Sequence, residues 1–212
     1  MTMTPALRKF ALTTHVTSSV GWLGAVGAFL ALAMAGVVSQ DAQIVRAAYL
    51  SMHLTTWFVI VPLCLAALLT GIVQSVGTTW GLFRHYWVVT KLLLTVLATI
   101  ILLVHTQPID HVAAVAAQTT LAAGDLRQLR FQLVGDACAA LFVLLVTTTL
   151  SVYKPWGMTA YGLRKQNEET GMWRPATTRQ VAPWGKYVLL GIVGLVLIVL
   201  LLHLGGIGLH TH

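Results

Sequence analysis

The strongest constraint on this chain is a set of five apolar runs, each close to the roughly 20 residues a helix needs to cross a bilayer. In lipid, backbone N–H and C=O groups must find partners inside the segment, so runs of this length read as transmembrane helices. They fall at about 12–38, 47–76, 86–104, 131–152 and 187–204. Composition agrees. Only 9% of residues are charged and 57% are hydrophobic, whereas soluble domains carry about 25% charged residues. The expectation is an all-α, polytopic bundle forming one integral membrane domain over residues 1–212, with the polar stretch 153–186 as a loop.

The net charge of +7 points to membrane topology and not to nucleic acid. With the N-terminus on the cytoplasmic side, Arg8, Lys9, Arg84, Lys154, Arg164, Lys165, Arg174, Arg179 and Lys186 all fall inside. Only Arg46, Arg127 and Arg130 fall outside. That is the asymmetry of the positive-inside rule. Trp80, Trp87, Trp156 and Trp184 mark the same inner interface. The run after Arg8 and Lys9 continues through Val38, well beyond a signal core of ~7–15 residues, so the first span is expected to be retained. The 40–46 and 77–85 connections are short, which makes the first three spans antiparallel neighbours. The 105–130 connection is longer. Its alanine-rich part, 112–121, reads as a surface helix.

Against this apolar background the ionisable residues stand out, since such groups inside a membrane mark ligand, cofactor or transport sites by default. His53, a few turns into the second span, and His105, at the end of the third, sit toward the outer leaflet. Asp136 in the fourth span and His203 in the fifth lie near that level. Neutral imidazole is the commonest metal ligand, and haem takes axial histidines from facing helices. His15 lies about two turns into the first span from the inner side, followed by Gly21, Gly24 and Gly27, small residues that allow close approach. Lys91 precedes His105 by fourteen residues, about 40° apart around a helix, so both belong to one stripe facing the bundle. Lys91 reads either as a snorkelling lysine or as a cation for a carboxylate such as a haem propionate. His85 reads as interfacial, and His210 with His212 as a solvated tail. Pro62 predicts a kink in the second span. Cys64 and Cys138 lack the spacing of a disulfide framework or zinc site and read as buried small apolar residues. No phosphate loop, HExxH or nucleophile elbow occurs. Without Cys-x-x-Cys-His, any haem is non-covalent.

Three short motifs carry a resemblance. His15 is followed by Gly21-Trp22-Leu23-Gly24, the second span closes on Thr70-Gly71, and Trp87-Val88-Val89-Thr90-Lys91 precedes His105. This pattern resembles a group of small bacterial integral membrane proteins classed as a domain of unknown function. It is distantly similar to the CopD copper-resistance membrane proteins and the HemJ-type protoporphyrinogen oxidases. The likeness covers the first three spans, roughly half the chain; the fifth span and the long inner loop depart from it. It implies a bacterial inner-membrane bundle holding b-type haem or handling copper. In HemJ-like proteins a first-helix His and a third-helix Lys followed by a His matter, and these correspond to His15, Lys91 and His105.

The leading expectation is therefore a b-type haem protein of membrane redox chemistry, with an electron donor or acceptor as partner. His53 and His105 are the first axial ligands, and His15 with Lys91 forms an inner site. The alternative is copper handling through Met52, His53, His105, His111 and His203. A cofactor-free membrane scaffold is the third reading.

Overall fold

The computed structural model describes residues 3–78, 81–118, 126–154 and 157–171. The expected span at 187–204, with His203 and the His210/His212 tail, lies outside them. So do Trp80, Trp156 and the inner loop beyond Gly171.

Within these residues the fold is all-helical. α1 is Pro5–Val38, α2 Ala42–Thr55, α3 Val61–Gly77, α4 Tyr86–Gln118, α5 Arg127–Tyr153 and α6 Ala160–Thr170. α2 and α3 form one continuous rod joined by a π-helical turn, Thr56–Ile60. Four helical rods, Pro5–Val38, Ala42–Gly77, Tyr86–Gln118 and Arg127–Tyr153, are long and apolar enough to span a membrane. The chain is thus a multi-pass membrane protein.

Local sequence sets the helix ends. Thr4 caps α1, accepting from the Leu7 amide, and Pro5 occupies the first turn, where a missing N–H costs nothing. Asp41 caps α2, its carboxylate accepting from the amides of Gln43 at 2.8 Å and Ile44 at 3.4 Å. Gly171, at φ 64°, closes α6 in the left-handed conformation that glycine adopts without penalty.

The π turn is the physical answer to Pro62. A proline has no N–H to donate and its ring crowds the preceding turn. Here the wider turn lets the Val61 amide reach the Thr56 carbonyl, and the rod absorbs the proline without breaking. α4 likewise continues through Pro108. It continues past the expected span to Gln118, so the alanine-rich stretch prolongs the third rod as far as it is described and is not a separate surface helix.

α1 packs on α2–α3 and on α5, and α4 packs on the same two neighbours, so α1 and α4 face each other across the bundle axis. The core holds Trp22, Phe29, Tyr49, Met52, Ile60, Cys64, Val112 and Leu133. In this core Gly36 permits a close approach, where an added Cβ would lie 2.7 Å from Tyr49 Cζ. Phe58, Leu69, Leu93 and Val152 point outward, each more than half exposed. Such an apolar girdle is stable in lipid and not in water.

At the end that carries the N-terminus, which the basic residues predict to be the inner side, the chain is clipped together. The Thr159 amide donates to the Arg84 carbonyl at 2.9 Å, the Thr159 hydroxyl to the Phe83 carbonyl at 2.6 Å, and Arg84 pairs with Glu169. The first part of the expected linker is therefore an ordered helix, α6, docked on the α3–α4 connection.

Candidate functional site

Four rods meet at one polar point in the inner half of the bundle. His15 comes from α1. Its Nδ1 lies 3.1 Å from the Ala67 carbonyl and 3.2 Å from the Thr70 hydroxyl, both on α3. A carbonyl only accepts, so Nδ1 carries the proton and Nε2 the lone pair. Across the bundle axis, Lys91 Nζ of α4 approaches that lone pair at 3.4 Å. Lys91 also donates to Ser151 Oγ of α5 at 2.7 Å, and Ser151 in turn donates to the Thr147 carbonyl at 2.8 Å.

The local sequence explains why these groups meet. Gly71 lies against the imidazole, where an added Cβ would stand 3.1 Å from His15 Cε1. A larger residue there would displace the ring from its carbonyl. Thr70 Oγ1 bonds back to the carbonyls of Ala66 and Ala67, so its lone pairs face outward to His15. Among the described residues no carboxylate lies within ion-pair distance of Lys91. A partly buried ammonium held only by neutral acceptors is one that an anion would stabilise.

The outer half holds two further pairs. His53 Nδ1 of α2 lies 2.9 Å from Asp110 Oδ1 of α4, and Trp57 Nε1 donates to the same oxygen at 2.9 Å. His105 Nδ1 donates to the Ile101 carbonyl one turn back at 2.7 Å. Its Nε2 stands 3.2 Å from Asp136 Oδ2 of α5. That distance makes an ion pair when the imidazole is protonated.

The structure therefore joins His15 to Lys91, and it holds His53 and His105 on different carboxylates. Met52 is 1% exposed and belongs to the core, while His111 is exposed on α4. Among the described residues, no group of three or more His, Cys, Asp or Glu side chains is placed to hold a metal ion. Cys64 is fully buried against the Thr99 hydroxyl, 3.2 Å away, whereas Cys138 is exposed. His85 sits at the clipped inner end beside Trp87.

Sequence reasoning missed Asp110 and Ser151, and it quoted Thr70 only as part of a motif, without its bond to His15. Asp110 had a readable signal: His53 and Trp57, four residues apart, present two N–H donors on one helix face and require an acceptor opposite. Ser151 had none beyond its place near a helix end.

Arg130 forms a separate knot near the outer end. It is 3% exposed, donates to Tyr49 Oη at 2.8 Å and to the Gly36 carbonyl, and stacks over the Tyr49 ring. A cation on one of the last carbonyls of α1 is favourable to that helix.

Comparison with known proteins gives no match to this chain among family models, curated proteins or solved structures.

Proposed function

We propose that this multi-pass membrane protein takes part in membrane redox chemistry and seats a b-type haem at the His15–Lys91 centre. One observation carries the reading: His15 Nδ1 is fixed on a backbone carbonyl, and Nε2 is turned toward a lysine with no carboxylate partner among the described residues. Metal-ligating histidines are oriented in this way, the far ring N–H held by a carbonyl or carboxylate.

The residues fit the group in kind. His15 Nε2 would hold the iron, and Lys91, on its flexible four-carbon stem, would meet an acidic arm of the cofactor. Ser151 accepts from the ammonium, and Gly71 leaves room for the imidazole. A bound haem would supply one-electron transfer, its potential set by the axial ligand and by burial. His15 and Lys91 are also two of the positions that the resemblance to HemJ-type oxidases singles out.

A reduced-minus-oxidised spectrum and a pyridine haemochrome assay of the detergent-purified protein test this reading. Stoichiometric b-type haem, lost in His15→Ala and retained in His53→Ala and His105→Ala, is the expected result. Absence of haem in protein expressed with ample haem supply overturns it. Haem lost only in His53→Ala or His105→Ala would move the ligand to the outer half. Copper handling is the second reading, and His53 favours it: Asp110 holds Nδ1 and leaves Nε2 open. Copper bound stoichiometrically by haem-free protein would establish it.

A further inference from the structure

The His53–Asp110–Trp57 group is open, unlike the His15–Lys91 centre and the Arg130 knot. The His53 and Asp110 side chains are 39% and 42% exposed, and Trp57 is 41% exposed. Asp110 Oδ1 takes both N–H donors, so the imidazole and the indole are locked side by side. Among the described residues His53 Nε2 has no hydrogen-bond partner. The group lies on the outward side of the α2–α3 rod, within the apolar run at 47–76 and beside Leu54, itself 55% exposed.

We propose that this group binds a membrane-dissolved hydroquinone, with His53 Nε2 accepting a hydrogen bond from one ring hydroxyl. The substrate class follows from the chemistry. An imidazole backed by a carboxylate is a base oriented to receive a proton. A phenolic hydroxyl, with a pKa of about 10, lies within its reach, whereas an ordinary alcohol does not. Access from the bilayer surface selects an amphiphile. The fixed face of Trp57 offers an aromatic ring a stacking partner. When the proton moves, the O–H bond breaks, the oxygen keeps the electron pair, and an N–H bond forms at Nε2. Asp110 offsets the imidazolium charge, and nothing is oxidised in that step. The choice of hydroquinone rests on the redox reading above, but its binding is measured independently of haem.

The test uses the full-length protein in nanodiscs with ¹⁵N-labelled tryptophan. A short-chain trimethylhydroquinone is titrated under argon, and the Trp57 indole N–H resonance is followed, assigned by its loss in Trp57→Phe. The expected result is a saturable shift of Trp57 with the buried Trp22 resonance unmoved. His53→Ala should weaken apparent affinity about tenfold, the scale of one lost hydrogen bond. Asp110→Asn, of equal volume, should weaken it in the same direction. The dimethyl ether, which has no O–H, should give no saturable shift. Equal shifts with the ether, affinity unchanged in His53→Ala, or general movement of all indoles overturns the proposal. A response to zinc alone overturns it in favour of a metal. Haem-free protein that still binds the hydroquinone at Trp57 leaves this site standing while the redox reading falls.

Discussion

At the scale of single residues, the bundle is held by side chains that each satisfy more than one partner. Arg130 is the clearest case, bridging Tyr49 Oη and the Gly36 carbonyl from a nearly inaccessible position. A lysine presents one compact ammonium and no fork. Arg130→Lys should therefore lower stability almost as much as Arg130→Ala, by about 1–3 kcal/mol for the unsatisfied groups left behind. Thermal unfolding in detergent checks this, and a lysine variant that melts with the wild type would deny the two-partner role. Gly36→Ala attacks the same knot from the other side. Its methyl would meet Tyr49, already in contact with Arg130, so a loss of about 1–3 kcal/mol from overpacking is expected. The same principle explains the sequence's silence about Arg130. A basic residue near a helix end reads as a charge in water or headgroups, and only the fold reveals that a glycine and a tyrosine enclose it.

At the scale of elements, α4 makes polar contacts with every other rod. It reaches α1 and α5 through Lys91, α3 through Thr99, α5 again through His105 and α2 through Asp110. The spans themselves were legible, because an apolar run of bilayer length has few other folds open to it. The shared stripe of Lys91 and His105 was legible from helical period. What the sequence concealed is the length of α4: hydropathy falls after Val104, yet the helix continues through Pro108 and carries Asp110 inward as a helix residue. The π turn was concealed too, since Pro62 announces a disturbance without its form. The bearing of the turn on register can be measured. Deleting Val59 should relax it to α geometry, and because four α residues turn about as far as five π residues, α2 should keep its face toward α4. His53 and Trp57 would then stay on Asp110. The expected outcome is a Trp57 indole resonance close to that of the wild type in a protein that still folds as a helical bundle by circular dichroism. A displaced resonance would show that the wide turn itself sets the register of α2.

At the scale of the whole molecule, the clipped end and the basic end coincide. Met3 meets the Gly77 carbonyl, and α6 docks on Arg84, so the N-terminus, the α3–α4 connection and α6 share one side of the bundle. Arg8, Lys9, Arg84, Lys154, Arg164 and Lys165 gather there, which predicts a cytoplasmic face. Single cysteines at Thr4 and Glu168 in a cysteine-free background should resist a membrane-impermeant maleimide in intact cells. One at Gln40 should react. Labelling of Glu168→Cys before lysis would reverse the topology.

The rods also bear on which membranes suit this protein. α1 has 34 residues and the α2–α3 rod 36, about 50 Å each at 1.5 Å per residue, against a hydrocarbon layer near 30 Å. Rods longer than the layer are taken up by tilt or by a locally thicker bilayer. The Arg130 knot, within a turn of the α1 terminus, ties α1, α2 and α5 together at one end, so these rods lean as one body. The molecule is thereby suited to thick, long-chain membranes, and short-chain lipid should make it tilt further.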